Sequence, residues 1–227
     1  MTLATDIKPK SRFKRVLGIG LAIVVLSVGV GYFTLPYVSL IGAPVAQLNS
    51  GDLADASFNG SDGKAHKLSD YRGKVLVLEW TSPVCEFTIR HYESGAMHAL
   101  QEYGASKQAA WIPVSTVGSG SVGYLDAAGL QTLLTARKIS SPYIAMDEQG
   151  VLGHLFGAHA TPSAAVIDVN GKLAYMGAID DNPWGDGTTG KNFVHQSLDE
   201  LAAGNAVSVP FRRSYGCSIK YPVASKG

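Results

Sequence analysis

The sequence predicts an α/β sandwich built on a mixed sheet, behind one apolar N-terminal span. Three observations point there. Strand-like and helix-like runs alternate between residues 74 and 146, the order expected of strands covered by helices. Asn170-Gly171 stands between the apolar runs 164–168 and 173–177, a strong signal for an antiparallel hairpin. The run Lys74–Trp80 puts Val75, Val77 and Glu79 on one face and Leu76, Leu78 and Trp80 on the other. Both faces are largely apolar, as in a strand at the centre of a sheet.

The N-terminus has its own character. Residues 1–15 carry Lys8, Lys10, Arg12, Lys14 and Arg15 against Asp6 alone. Residues 16–35 carry no charge; as a helix they would span about 30 Å, the thickness of a bilayer's hydrocarbon core. Tyr32 and Tyr37 fall near the outer end, and Pro36 and Pro44 mark the exit. A cleaved signal peptide shares this order, but Thr34-Leu35-Pro36-Tyr37 is a poor cleavage site and Ala43-x-x-Ala46 comes late and contains Pro44. The expectation is an uncleaved single-pass anchor in a bacterial inner membrane. Its N-terminus is cytoplasmic and its body periplasmic, an oxidising compartment. A linker, 36–50, leads to the domain proper, 51–204.

Within that domain, Ser61-Asp62-Gly63-Lys64 is a turn signal. Strand 74–80 is followed by helical segments at 86–92 and 95–103. A second strand covers 110–117, a helix 125–138, and a short strand 143–146. The hairpin comes next, then a glycine-rich polar loop with Asp180, Asp181 and Trp184. Phe193, Val194, Leu198 and Leu201 mark a last amphipathic helix. The tail, 205–227, shows no regular pattern, yet it holds Cys217.

Cys85 and Cys217 are the chain's two cysteines. Cys85 stands where strand gives way to helix, so it faces the positive end of a helix dipole, which favours the thiolate. The alternative is a buried structural cysteine. Glu79, if buried, has a raised pKa and can act as a general acid/base beside a thiol; otherwise it is a hydrated or paired sheet-end carboxylate. Cys217 is either a resolving partner that swings in from a loose tail or half of a permanent staple.

Four segments carry a resemblance. They are Asp62-Gly-Lys-Ala-His-Lys-Leu-Ser-Asp-Tyr-Arg-Gly-Lys74, Leu78-Glu-Trp-Thr-Ser-Pro-Val-Cys85, Phe156-Gly-Ala-His-Ala-Thr-Pro162 and Ala165-Val-Ile-Asp-Val-Asn-Gly-Lys172. From about residue 43 to 205 the chain resembles the thioredoxin superfamily, in particular the redoxin branch related to the alkyl hydroperoxide reductase/thiol-specific antioxidant (peroxiredoxin-like) family. The resemblance implies a thioredoxin-like fold, with Glu79 as the buried acid and Thr161-Pro162 as the cis-proline site against the thiol. Trp80, Ser82, Thr161 and Arg90 become candidate substrate-binding residues beside the catalytic candidates Cys85, Glu79, Pro162 and Cys217.

The departures are equally informative. Thr88 replaces the second cysteine of a C-x-x-C, which excludes a local dithiol cycle. Leu78 stands where the peroxiredoxin motif has proline, and the peroxiredoxin arginine before the hairpin is missing; Arg90 is the candidate to compensate. The expected chemistry is thiol-disulfide exchange or peroxide reduction at Cys85. The partner is a protein thiol or disulfide, or a small peroxide. The alternative is a non-catalytic binding or assembly module with a structural Cys85–Cys217 disulfide. No cofactor is expected. A copper-type site joining Cys85 to His91 or His159 lacks a second local cysteine, and Asp180-Asp181 reads as a solvated loop end, so no metal is expected. A net charge of +1 offers no nucleic-acid surface.

Overall fold

The computed structural model describes Leu53, residues 56–184 and residues 190–222. The segment 1–15, the span 16–35 and the linker 36–50 lie outside these residues. Among the described residues no helix is long and apolar enough to cross a membrane.

The elements follow the sequence pattern closely up to the tail. The Ser61–Lys64 turn joins β1 (Ser57–Gly60) to β2 (Ala65–Lys67), and a 3-10 turn follows at Leu68–Tyr71. Next come β3 (Leu76–Trp80), α1 (Glu86–Glu93), α2 (Ala96–Ser106), β4 (Ala110–Ser115), α3 (Ala127–Ala136) and β5 (Ala145–Met146). Then α4 (Val151–Phe156), β6 (Ala160–Thr161), β7 (Ser163–Ile167), β8 (Leu173–Gly177) and α5 (Phe193–Ala202) complete the sandwich. The tail adds β9 (Phe211–Arg212) and β10 (Cys217–Ser218). Side chains fix the helix starts: the Asp126 carboxylate accepts from the Gly129 amide at 2.8 Å at the head of α3, and Asn192 from the His195 amide at 2.8 Å at the head of α5.

The main sheet runs β2-β1-β5-β4-β3-β7-β8-β9, with β3 parallel to β4 and antiparallel to β7. As its two-sided apolar pattern predicts, β3 is central and buried throughout. Leu76, Leu78 and Trp80 join Phe58, Ile112, Leu152 and Phe156 in one core layer. Val77 joins Tyr92, Met97, Leu100, Val166, Val194 and Leu198 in the other, under α1, α2 and α5. Each large apolar side chain sealed in these layers contributes about 1.5–3 kcal/mol. The layers clamp β3 from both faces, so the turn leaving its end, and Cys85 beyond it, start from a rigid base.

Two parts of the structure differ from the sequence expectation. The α4 helix was not visible, because six residues between Gly150 and Gly157 are too few to show a helical period. The tail is neither loose nor unstructured: β9 pairs parallel with β8, and β10 pairs antiparallel with β6. Strands of two residues leave no alternation to read.

Candidate active site

Cys85 is the N-cap of α1, in extended conformation, and none of its surface is exposed. Its thiol donates to the Thr161 carbonyl at 3.0 Å. Thr161-Pro162 is a cis peptide bond, and both residues are buried. The β10–β6 pairing sets Cys217 opposite Thr161, which brings the second thiol to the first. Both cysteines are free thiols in this structure.

The two sulfurs have opposite electrostatics. Burial alone pushes the Cys85 thiol up, but hydrogen bonding from Cys217, then from Thr161, with further help from the Thr88 and Cys217 amides, outweighs it and brings the pKa below its ordinary 9.0. The Thr88 amide faces the sulfur from the first turn of α1 without closing a cap hydrogen bond. Cys217 is pushed up to about 11, first by its own burial and then by its bond to Cys85. One thiol is thus prepared to ionise and its neighbour to hold a proton.

Glu79 is not part of this pair. It is fully buried at the end of β3, inside a cage of donors: Trp111 Nε1 at 2.8 Å, the Tyr92 hydroxyl at 2.9 and 3.0 Å, and Gln101 Nε2 at 3.3 Å. Desolvation raises its pKa, against the lowering effect of these donors. No hydrogen bond joins it to Cys85; it reaches α1 through Tyr92.

The structure also separates the candidate substrate-binding residues. Trp80 is fully buried, donates to the Thr116 hydroxyl at 3.1 Å and packs on Phe156, so it belongs to the core and presents nothing to a substrate. Arg90 turns away from the sulfur: it donates to the Pro183 carbonyl at 3.2 Å and lies over the Phe87 and Trp184 rings. Ser82 and Thr161 do line a cavity of about 90 Å³ beside Cys217.

Three features escaped the sequence. Arg137, just past the end of α3, donates to the carbonyls of Ser82 at 3.2 Å and Pro83 at 3.1 Å and lies over the Tyr92 ring. It pins the turn that carries Cys85 and feels the charges of Tyr92, Glu79 and Cys85. His91 and Asp180, both buried, meet the tail: the Tyr215 hydroxyl donates to Asp180 Oδ1 at 2.6 Å and lies 2.9 Å from His91 Nε2. Asp180 is therefore no solvated loop end, and His91 is engaged away from the sulfur. Farther along, Tyr221 donates to the Ala158 carbonyl at 2.6 Å and stacks on His154. A tyrosine repeated on both sides of Cys217 was the available signal. Among the described residues, no three His, Cys, Asp or Glu side chains converge on a metal position.

Comparison with known proteins bears on the fold. No protein-family profile and no curated protein matches the chain. Among solved structures, a hypothetical protein of Sinorhizobium meliloti is similar with a TM-score of 0.64 at 20% identity, over 76% of this chain and 93% of that one. A conserved protein of Geobacillus kaustophilus is similar with a TM-score of 0.64 at 18% identity, over 74% and 89%. A secreted Mycobacterium tuberculosis disulfide oxidoreductase reaches a TM-score of 0.45 at 16% identity, over 67% and 95%, and adds no weight at that score. The chain has a mixed α/β thioredoxin-like fold. A fold does not assign an activity; the site must do that.

Proposed function

We propose that the chain is a thiol-disulfide oxidoreductase that cycles Cys85 and Cys217 between a dithiol and a disulfide. One observation carries this reading: β10 lays Cys217 opposite Thr161, where its thiol bonds to Cys85. Two thiols in contact, one acidified and one protonated, need only lose two electrons and two protons to join. The oxidant is a disulfide on a protein partner, which becomes two thiols as one S–S bond forms between Cys85 and Cys217. In this reading Thr161 and Pro162 shape the contact, and Glu79 braces α1 through Tyr92. The basic segment 1–15 and the apolar span 16–35 support a membrane anchor with the domain in the periplasm, where such a disulfide persists.

The test is thiol trapping on the full chain by alkylation and intact mass, before and after oxidation with glutathione disulfide and again after mild reductant. The expected result is reversible conversion of two free thiols into a Cys85–Cys217 disulfide. A disulfide already present that resists mild reductant would instead support the non-catalytic module with a structural staple. Its removal would then cost about 2–4 kcal/mol of stability and no activity.

A further inference from the structure

Resting on that reading, we infer that external thiols enter the couple through Cys217, leaving Cys85 as the enclosed sulfur that never meets the partner. This reverses the order expected from the sequence, in which Cys85 makes the contact and Cys217 resolves it.

Access carries the inference. Cys85 exposes 0% of its surface, whereas Cys217 is half-buried and Ser218 beside it is exposed. The cavity of about 90 Å³ at this end of the sheet is lined by Cys217 with Ser82, Val84, Val122 and Lys220; Cys85 does not line it. What shuts Cys85 in is the tail itself. Gly216 has φ 111, and a Cβ there would stand 2.0 Å from the Thr161 carbonyl oxygen, so the tail backbone lies hard against the edge that Cys85 faces.

The cover is fastened on both sides. Tyr215 is held by Asp180 and His91. Beyond Cys217, the Ile219 amide donates to the His159 carbonyl at 3.0 Å, the Gly118 amide to the Lys220 carbonyl at 3.2 Å, and Tyr221 to Ala158. Tyr221 seats so closely that a Cβ on Gly153 would stand 2.5 Å from its hydroxyl oxygen. An external disulfide could reach Cys85 only by undoing these contacts; an external thiolate reaches Cys217 with the tail in place.

The chemistry runs in the same direction. Either sulfur of a disulfide can be attacked, and exchange is faster when the departing sulfur is the more acidic. A partner thiolate attacks Cys217 Sγ, the Cys85–Cys217 bond breaks, and the electron pair leaves on Cys85, whose thiolate the site favours. A second partner thiolate then attacks the partner sulfur of the mixed disulfide. The partner disulfide forms, and Cys217 departs as a thiolate and takes up a proton. Two thiols are oxidised and one protein disulfide is reduced to a dithiol. In reverse, Cys217 passes its proton to the Cys85 thiolate and attacks the partner disulfide, and one partner thiolate leaves. Cys85 then gives its proton up to that thiolate and attacks Cys217 Sγ; the Cys85–Cys217 bond forms, and the second partner sulfur departs as a thiolate.

The test uses the oxidised full chain mixed with reduced glutathione, quenched in acid within seconds, alkylated and mapped by mass spectrometry. At least a tenfold excess of glutathione on Cys217 over Cys85 is expected. Adducts on Cys85, or on both equally, overturn the inference. If no adduct outlives the quench, Cys85→Ser and Cys217→Ser are each exposed to glutathione disulfide. Cys217 in the first should then be modified at least tenfold faster than Cys85 in the second, despite its higher pKa, and the opposite order overturns the inference. Failure of the wild-type chain to form any Cys85–Cys217 disulfide would instead sink the oxidoreductase reading itself.

Discussion

Glu79, next to last in β3, and Cys85, at the head of α1, flank one short turn and are both fully buried, yet their surroundings shift them in opposite directions. Burial pushes each towards its neutral form. At Glu79 desolvation prevails over the surrounding donors and the acid is held up. At Cys85 a second thiol, a hydroxyl and two amides prevail over desolvation and the thiol is held down. What a buried titratable group becomes is decided by the balance between its desolvation and the donors that reach it. Glu79 is tied to the core through Trp111, Gln101 and Tyr92; Cys85 is tied to a strand of the tail. The first arrangement ties a carboxyl to the core; the second sets one thiol against another, as the proposed exchange requires.

The sharpest way to break this contrast is to remove one member at a time. Cys85→Ser should abolish formation of the Cys85–Cys217 disulfide, and with it turnover of a partner disulfide, by roughly a thousandfold or more, with little change in unfolding free energy. Glu79→Leu should do the reverse. It strands the Trp111, Gln101 and Tyr92 donors in the core and should cost about 3 kcal/mol in a urea titration. The Cys85 thiolate, followed by its ultraviolet absorbance, should titrate as before. A large movement of that titration in Glu79→Leu or Glu79→Gln would show that the acid does couple to the sulfur.

The raised pKa of Glu79 also fixes a sign. Folding takes up a proton at this carboxyl, so its contribution is complete below the ordinary value of 4.5 and is lost as pH rises through the higher folded value. Glu79→Gln should flatten that decline. The check is the wild-type minus variant difference in unfolding free energy, measured from pH 4 upward.

Much of this was legible in the sequence because it is local. The Asn170-Gly171 hairpin, the strand before Cys85 and the helix after it are each set by near neighbours in the chain. Alternation along β3 also contained the fate of Trp80: it shares the face of Leu76 and Leu78, and that face is core. What was illegible depends on partners distant in sequence. Arg90 and Arg137 look alike as helix-borne cations, but Arg137 bonds to carbonyls 55 and 54 positions away. Nothing in either local pattern says which one reaches the cysteine turn. The tail was opaque for the same reason, since it is ordered by β8, β6, Asp180 and Ala158 rather than by its own residues.

Arg137 gives a finer test, because it touches both halves of the contrast. Arg137→Met removes the two bonds to the Ser82 and Pro83 carbonyls and the charge near Glu79 and Cys85. The Cys85 titration should move up, and reduction of the Cys85–Cys217 disulfide by glutathione at pH 7 should slow by about three- to tenfold as Cys85 becomes a poorer leaving group. Arg137→Lys should restore the charge but not both bonds, and so recover only part of the rate. An unchanged titration in Arg137→Met would leave the two carbonyl bonds as its whole contribution.

The smallest effect expected, and the most specific to the tail, is that of Tyr215→Phe. Removing the hydroxyl takes its hydrogen bond from Asp180 and its contact from His91, at about 1 kcal/mol. If that hydroxyl holds Cys217 in place, the loss lowers the effective concentration of one thiol at the other by about fivefold. The Cys85–Cys217 disulfide should then become easier to reduce in a glutathione redox titration, while Cys85 becomes more open to alkylation. His91 supplies the pH dependence. Its pKa is held below the ordinary 6.5, chiefly by burial and against the pull of Asp180. Folding therefore favours neutral imidazole: the contribution is present above pH 6.5 and is lost as pH falls through the folded value. Acid should loosen the wild-type tail in that window, raising Cys85 alkylation beyond what its thiolate fraction explains, and Tyr215→Phe should be loosened already at neutral pH. If the variant keeps Cys85 as closed as the wild type, the tail is held by Tyr221 and the β10–β6 pairing alone, and the His91–Asp180–Tyr215 cluster belongs to the core rather than to the latch.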